Sequence, residues 1–449
     1  MGHYHGVLPK LITEVPGPKS LQLSKKLQSY ESQNVTYLSP HFPIFWDRAE
    51  GCNIWDVDGN CYLDLTSGFG VSTMGWGDQA LVKCMQMQAG LLYHAMGDVH
   101  PCPAKAELCE LLSEITYERW GLGKGKSILG NSGFEAVEAA MKTAWLVTGK
   151  RRIIAFESGY HGLGYGAMTV TGRREFHEPF KKQLADIASF VPFPHYLDAG
   201  DNWKEPFVFQ LEELLANQDY GAILVEPIQG RGGEVVPPKG FLRLLRDISE
   251  QYGVLLIFDE IYTGFYRTGD FFACEAEGVY PDLVCLGKAL SGGFPISACV
   301  GKEEIMDYWP KSTGEALHTS TFLGHPIGCA MAVESIHYWK KKSTQKWVGQ
   351  LSKIWYEALY RLVQEHTCLA RLRGRGLMWG LEIADGNGKV ASQRTEFLVL
   401  ESLRCGMVLL AGGVDGNILS LTPNLALENN EMVWTIDSLR DVLTLAEEL

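Results

Sequence analysis

Four short apolar runs constrain this chain more than any other feature: "RIIAF" at 152–156, "GAILVEP" at 221–227, "VLLIFDE" at 254–260 and "LVCLG" at 283–287. Each is too short for a buried helix, and stretches with helical periodicity separate them. Strands that are apolar throughout must be covered on both faces, so the alternation predicts an α/β unit with a mostly parallel sheet between helical layers. Polar residues gather at the ends of these runs, where an open α/β sheet holds its ligand.

The texture differs on either side. Residues 42–65, "FPIFWDRAEGCNIWDVDGNCYLDL", alternate apolar and polar around the turn signals Ala-Glu-Gly and Asp-Gly-Asn, which predicts a small antiparallel meander. Past Pro326 the chain reads as long helices, "GCAMAVESIHYWKKK" and "TQKWVGQLSKIWYEALYRLVQEH". Then come "GLMWGLEI", a helix near Arg394 to Cys405, and short strands. Three segments are expected: 1–65 with the meander, 66–325 as a large ligand-binding α/β domain, and 326–449 as a smaller α+β domain.

Composition narrows the function classes. With 46% hydrophobic and 21% charged residues over 449 positions, the chain is ordinary for a globular protein. A formal net charge of −13, with basic runs no denser than "KKK" at 340–342, argues against nucleic acid as a partner. Eleven cysteines without a Cys-x-x-Cys pair read as reduced thiols rather than a disulfide frame or zinc site, and no metal site is expected. The start, "MGHYHGVLPK", lacks a signal-peptide apolar stretch, and Gly6 stands where myristoylation needs Ser or Thr. No run approaches the ~20 residues that span a bilayer. A cytoplasmic location is expected.

Four motifs lie at the predicted strand ends. In "LGNSGFEAVEAAMKTAW", Gly130-Asn131-Ser132-Gly133 leads into a helix whose N-terminal amides suit a phosphate, although Asn-Ser-Gly is also an ordinary cap. In "ESGYHGLGYGA", Tyr160 is placed to stack on a flat heterocycle or to pack in the core. Asp259 ends a run of five apolar residues, where a carboxylate needs a cationic or donor partner; a protonated pyridine nitrogen is one, the next helix another. Lys288 follows the next run and precedes a Ser-Gly-Gly-Phe-Pro turn. A lysine held in a pocket can form an imine with an aldehyde, whereas a lone lysine is more often solvated. Phosphate cradle, aromatic, carboxylate and lysine together suit pyridoxal 5′-phosphate, PLP.

With these motifs in view, "GNSGFEA", "YHG", "VEPIQGRGG", "DEIYTGFYRTG", "GKALSGGFPISA", "HTSTFLGHP" and "RGRGLMWGLEI" resemble the class III (ω-) aminotransferases of PLP fold type I, from about Phe42 onward. The resemblance implies that Lys288 is the Schiff-base lysine and proton carrier, Asp259 the pyridinium partner, and Tyr160 the stacked ring. Ser132 and Gly133 would hold the phosphate and Gln229 the phenolic oxygen. Glu226 would lie near the cofactor or gate the substrate. Thr321 would complete the phosphate site of a second subunit, so a homodimer with shared sites is implied. Phe69 and the segment 93–98, "YHAMGD", would line the substrate pocket.

The chain also departs from the family pattern. Leu163 follows Tyr-His-Gly where amino-acid enzymes of the family often carry Arg, and Ser420 stands where others have a C-terminal Arg; Leu323 and His325 replace the usual Gly and Asn after the putrescine-type "HTSTF". Without both arginine clamps the expected donor shifts toward an amine, diamine or amino sugar rather than an amino acid, with a keto acid or aldehyde as acceptor. Asp98 is the candidate partner for a distal ammonium, against a solvated loop aspartate. Arg231, Arg173 and Arg174 are candidates for the acceptor carboxylate, against surface salt bridges. An aminomutase, racemase or epimerase of the same family is the alternative; a non-catalytic PLP-binding protein would need a partner-binding module that the sequence does not display.

Overall fold

A computed structural model of the chain describes residues 6–195, 197, 200, 202–216, 219–385 and 388–448. The first five residues of the stretch "MGHYHGVLPK" lie outside these. Packing divides the chain into two units, Met1–Gln79 with Gly349–Leu449, and Ala80–Val348.

In the first unit the alternation at 42–65 produces β1 (Trp46–Glu50), β2 (Asn53–Asp56) and β3 (Cys61–Asp64), paired antiparallel with Ala49 opposite Ile54 and Ile54 opposite Tyr62. The turn between β2 and β3 closes on Asp56, whose carboxylate accepts from the amides of Asp58 and Asn60 and from the Tyr62 hydroxyl. A buried carboxylate with that many donors is satisfied in place, and it fixes the register.

The second unit carries the large sheet: β4 (Gly125–Gly130), β5 (Arg152–Phe156), β6 (Ala188–Val191), β7 (Tyr220–Val225), β8 (Leu255–Asp259), β9 (Leu283–Leu286) and β10 (Ser297–Lys302). Their order is β4-β10-β9-β8-β7-β5-β6. Strands β5 to β9 pair in parallel, while β10 runs antiparallel to both β4 and β9. The four apolar runs are β5, β7, β8 and β9, and the sheet is mostly parallel as they predict. Helix Gly133–Thr148 lays Ala136, Ala139, Ala140 and Ala144 against Ile153, Leu224, Ile257 and Cys285. Small side chains on that face let the helix approach closely, which sets its N-terminus at the sheet edge.

The first unit is completed by β11 (Leu369–Arg375), β12 (Met378–Ile383), β13 (Met407–Val408), β14 (Leu410–Gly412) and β15 (Ile418–Leu421). The order β11-β12-β15-β14 is antiparallel, and β13 joins β3 in parallel. The boundaries read from the sequence, 65/66 and 325/326, do not coincide with the packing boundaries at 79/80 and 348/349. At the second one the reason is local: Ser335 and Trp339, on helix Pro326–Trp339, both donate to the Ala289 carbonyl and tie that helix to the large sheet. Among the described residues no helix is long and apolar enough to cross a membrane.

Candidate active site

Lys288 occupies a strained position. β9 ends at Leu286, Gly287 is extended, and Lys288 begins a short 3₁₀ turn with φ 45°, left-handed backbone that a non-glycine residue rarely adopts. Two anchors enforce it: the Ala289 carbonyl accepts from Ser335 and Trp339, and the Ser291 hydroxyl closes the following turn on Phe294. The amine lies 3.7 Å from the Tyr262 ring centroid, and among the described residues no carboxylate forms an ion pair with it. Burial brings its pKa down to about 8; the charges of Arg231 and Arg267 push the same way, and those of Asp259 and Glu226 oppose them.

One strand across the sheet, Asp259 ends β8 and is buried. Its Oδ2 meets His161 Nδ1 at 2.8 Å and its Oδ1 accepts from the Ile261 amide at 3.1 Å. Burial opposes charge on His161, but the Asp259 hydrogen bond and charge prevail and raise its pKa. His161 Nε2 is buried with no hydrogen-bond partner. Glu226, just past β7, accepts from the Tyr160 amide at 2.8 Å and the Gly230 amide at 3.1 Å. Burial raises its pKa. The turn bearing Tyr160 and His161 is thus held from β7 and β8 together.

The helix N-terminus is partly spoken for. Glu135 Oε2 accepts from the amides of Asn131 and Ser132 in a capping box, which leaves the first-turn amides of Gly133 and Phe134 without an intrahelical acceptor. Beyond it Thr321 is exposed, in a segment where Thr319 donates to Asp98 at 2.6 Å and Asn131 donates to Ser320. Asp98 itself is exposed, and the Thr319 bond holds its carboxyl below the usual range.

The remaining candidates are dispersed. Gln229 is buried, its side-chain amide donating to the Glu157 carbonyl. Leu163 is exposed. Arg231 lies over the Tyr160 ring at 4.7 Å, Arg173 pairs with Glu175, and Arg174 is exposed. Phe69 and Ser420 belong to the other unit, Phe69 exposed with φ 61° and Ser420 opposite Gly380 on β15. Lys288, Asp259, Glu226, Tyr160 and Arg231 share one unit and one electrostatic neighbourhood. His161 and Tyr262 join them without having been singled out in the sequence. His161 directly follows Tyr160, and Tyr262 lies three residues past Asp259; position relative to the strand ends was the available signal.

A seven-stranded, mostly parallel sheet with these groups at its strand ends has the architecture of PLP enzymes of fold type I. The chain belongs to the class III aminotransferase family, whose profile, aminotransferase class-III, matches residues 35–443. It is 33% identical over 445 residues to a 4-aminobutyrate aminotransferase of Mycobacterium leprae, covering 97% of this chain and 98% of that protein. It is 34% identical to an acetylornithine aminotransferase of Methanopyrus kandleri, over 90% and 95%. The fold matches that of a Bacillus anthracis aminotransferase with a TM-score of 0.87 at 24% identity, covering 95% of this chain and 99% of that one.

The protein is accordingly a PLP-dependent aminotransferase acting on small molecules. Its donor set fits that cofactor: a half-buried amine with no ion-paired carboxylate among the described residues, a strand-end carboxylate braced by an imidazole, and a helix N-terminus with two amides to offer.

Proposed function

We propose that the transfer runs from a primary amine, diamine, amino sugar or amino acid to a 2-oxo acid or aldehyde in two half-reactions, with Lys288 holding the cofactor and then carrying the proton. The observation behind this is Lys288, half-buried, without an ion-paired carboxylate among the described residues, and with a pKa brought down to about 8. Near neutral pH such an amine gives up and takes back a proton readily. PLP when bound supplies an electron sink conjugated to the substrate carbon.

The chain's own residues do the rest. Asp259, held by His161, would keep the pyridine nitrogen protonated, and the raised pKa of His161 supports a charged brace behind it. Tyr160 would stack on the ring, with Glu226 fixing its backbone. Ser132, Gly133 and the partner subunit's Thr321 would hold the phosphate, and Gln229 the phenolic oxygen. Leu163 and Asp98 would line the substrate pocket.

The relatives' names, 4-aminobutyrate and acetylornithine aminotransferase, support a donor whose amine is terminal. A homodimer is supported by apolar side chains left exposed, among them Leu91, Tyr93 and Phe322. A cytoplasmic location agrees with cysteines that are all free. A donor panel tests the reading. Donor alone should convert the enzyme to its pyridoxamine form and a 2-oxo acid should return it, whereas an isomerising enzyme would turn over without added acceptor.

A further inference from the structure

We infer that Arg231 binds the carboxylate of the 2-oxo acid acceptor, in place of the arginines missing at 163 and 420. The inference rests on the aminotransferase reading above. The guanidinium of Arg231 lies over two rings, at 4.7 Å from the Tyr160 centroid and 5.3 Å from that of Phe176. It is exposed, and among the described residues no carboxylate pairs with it.

Position and chemistry agree. Its charge is felt at Lys288, so it shares the neighbourhood of the reacting amine. Its backbone is pinned, because Arg173 donates to the Arg231 carbonyl at 2.6 Å and Gly232 closes on Gln229, where a Cβ would lie 2.8 Å from Oε1. A guanidinium over an aromatic face keeps its five donors in their own plane, free for the two oxygens of a carboxylate. Arg173 has no such freedom, being paired with Glu175. Among the described residues Arg174 lies over neither Tyr160 nor any other ring.

The test uses enzyme loaded with pyridoxamine phosphate in single-turnover reactions with pyruvate and with propanal, which has no carboxylate. Arg231→Gln should lower the second-order rate for pyruvate roughly 10- to 100-fold, as for loss of a charge-assisted bidentate contact, and leave propanal unchanged. Arg231→Lys should recover part of it. Calorimetric binding of propanoate to the loaded enzyme, which involves no turnover, should weaken by a similar factor. Equal losses for both acceptors, no loss for either, or a weakened hold on the cofactor with pyruvate unaffected would overturn the inference and leave the aminotransferase reading intact. A wild-type pyridoxamine form that no 2-oxo acid or aldehyde of a panel reconverts would overturn both.

Discussion

Replacing Lys288 with methionine should make the cofactor-free protein more stable. Each pKa unit corresponds to about 1.4 kcal/mol, so a fall from 10.5 to about 8 makes charging Lys288 about 3 kcal/mol costlier in the folded than in the unfolded chain. The contact of its ammonium with the Tyr262 ring returns about 0.5–1 kcal/mol, which leaves a penalty of about 2–3 kcal/mol. The sign follows from proton binding. Above about 10.5 the lysine is neutral in both states and exacts nothing; as pH falls toward 8 the unfolded chain takes up a proton that the folded chain refuses; below 8 the penalty is complete. Methionine has similar length and no charge, and it keeps the strained φ 45° backbone in both proteins, so strain cancels in the comparison. Urea unfolding of both apoproteins at one protein concentration should show the variant about 2–3 kcal/mol more stable at pH 7, the gap closing as pH approaches 10.5. Parallel stability curves across that range would refute the claim that burial strains this amine.

Asp98→Asn should weaken diamine donors and spare monoamines, measured as kcat/KM over a donor pair; equal effects on both would assign Asp98 solely to its bond with Thr319. Asp282→Ala should cost about 3–5 kcal/mol in denaturant unfolding, because it leaves the buried Arg246 with only the exposed Glu250 as an ion-pair partner and removes the acceptor for Lys302 and the Leu256 amide. A loss below about 1 kcal/mol would mean that solvent replaces the carboxylate.

The parallel sheet was legible because burial on both faces leaves a run of apolar residues that no surface element produces. β10 was not legible: "SACVGK" is rich in small residues and turns back beside β9 immediately after Gly-Gly-Phe-Pro, so its partner, rather than its own pattern, makes it a strand. Lys288 and Asp259 could be found as polar residues closing apolar runs. His161 could not be paired with Asp259, because the contact joins residues on separate strand-end turns. The Ser-x-x-Glu spacing at 132–135 does encode the capping box: Glu135 caps Asn131 and Ser132, and the next two amides are left over. The assignment of helix Pro326–Trp339 to the larger unit follows from its packing on helix Pro103–Ser113 together with its bonds to Ala289, which no local pattern reveals.

The central claim is that Lys288 holds the cofactor, and the most direct measurement reduces the PLP-loaded enzyme with sodium borohydride, digests it and maps the phosphopyridoxyl group by mass spectrometry. The label should fall on the peptide containing Lys288 and should be lost, together with the visible absorbance, in Lys288→Ala. Label on another lysine, or an unchanged visible spectrum in that variant, would contradict it.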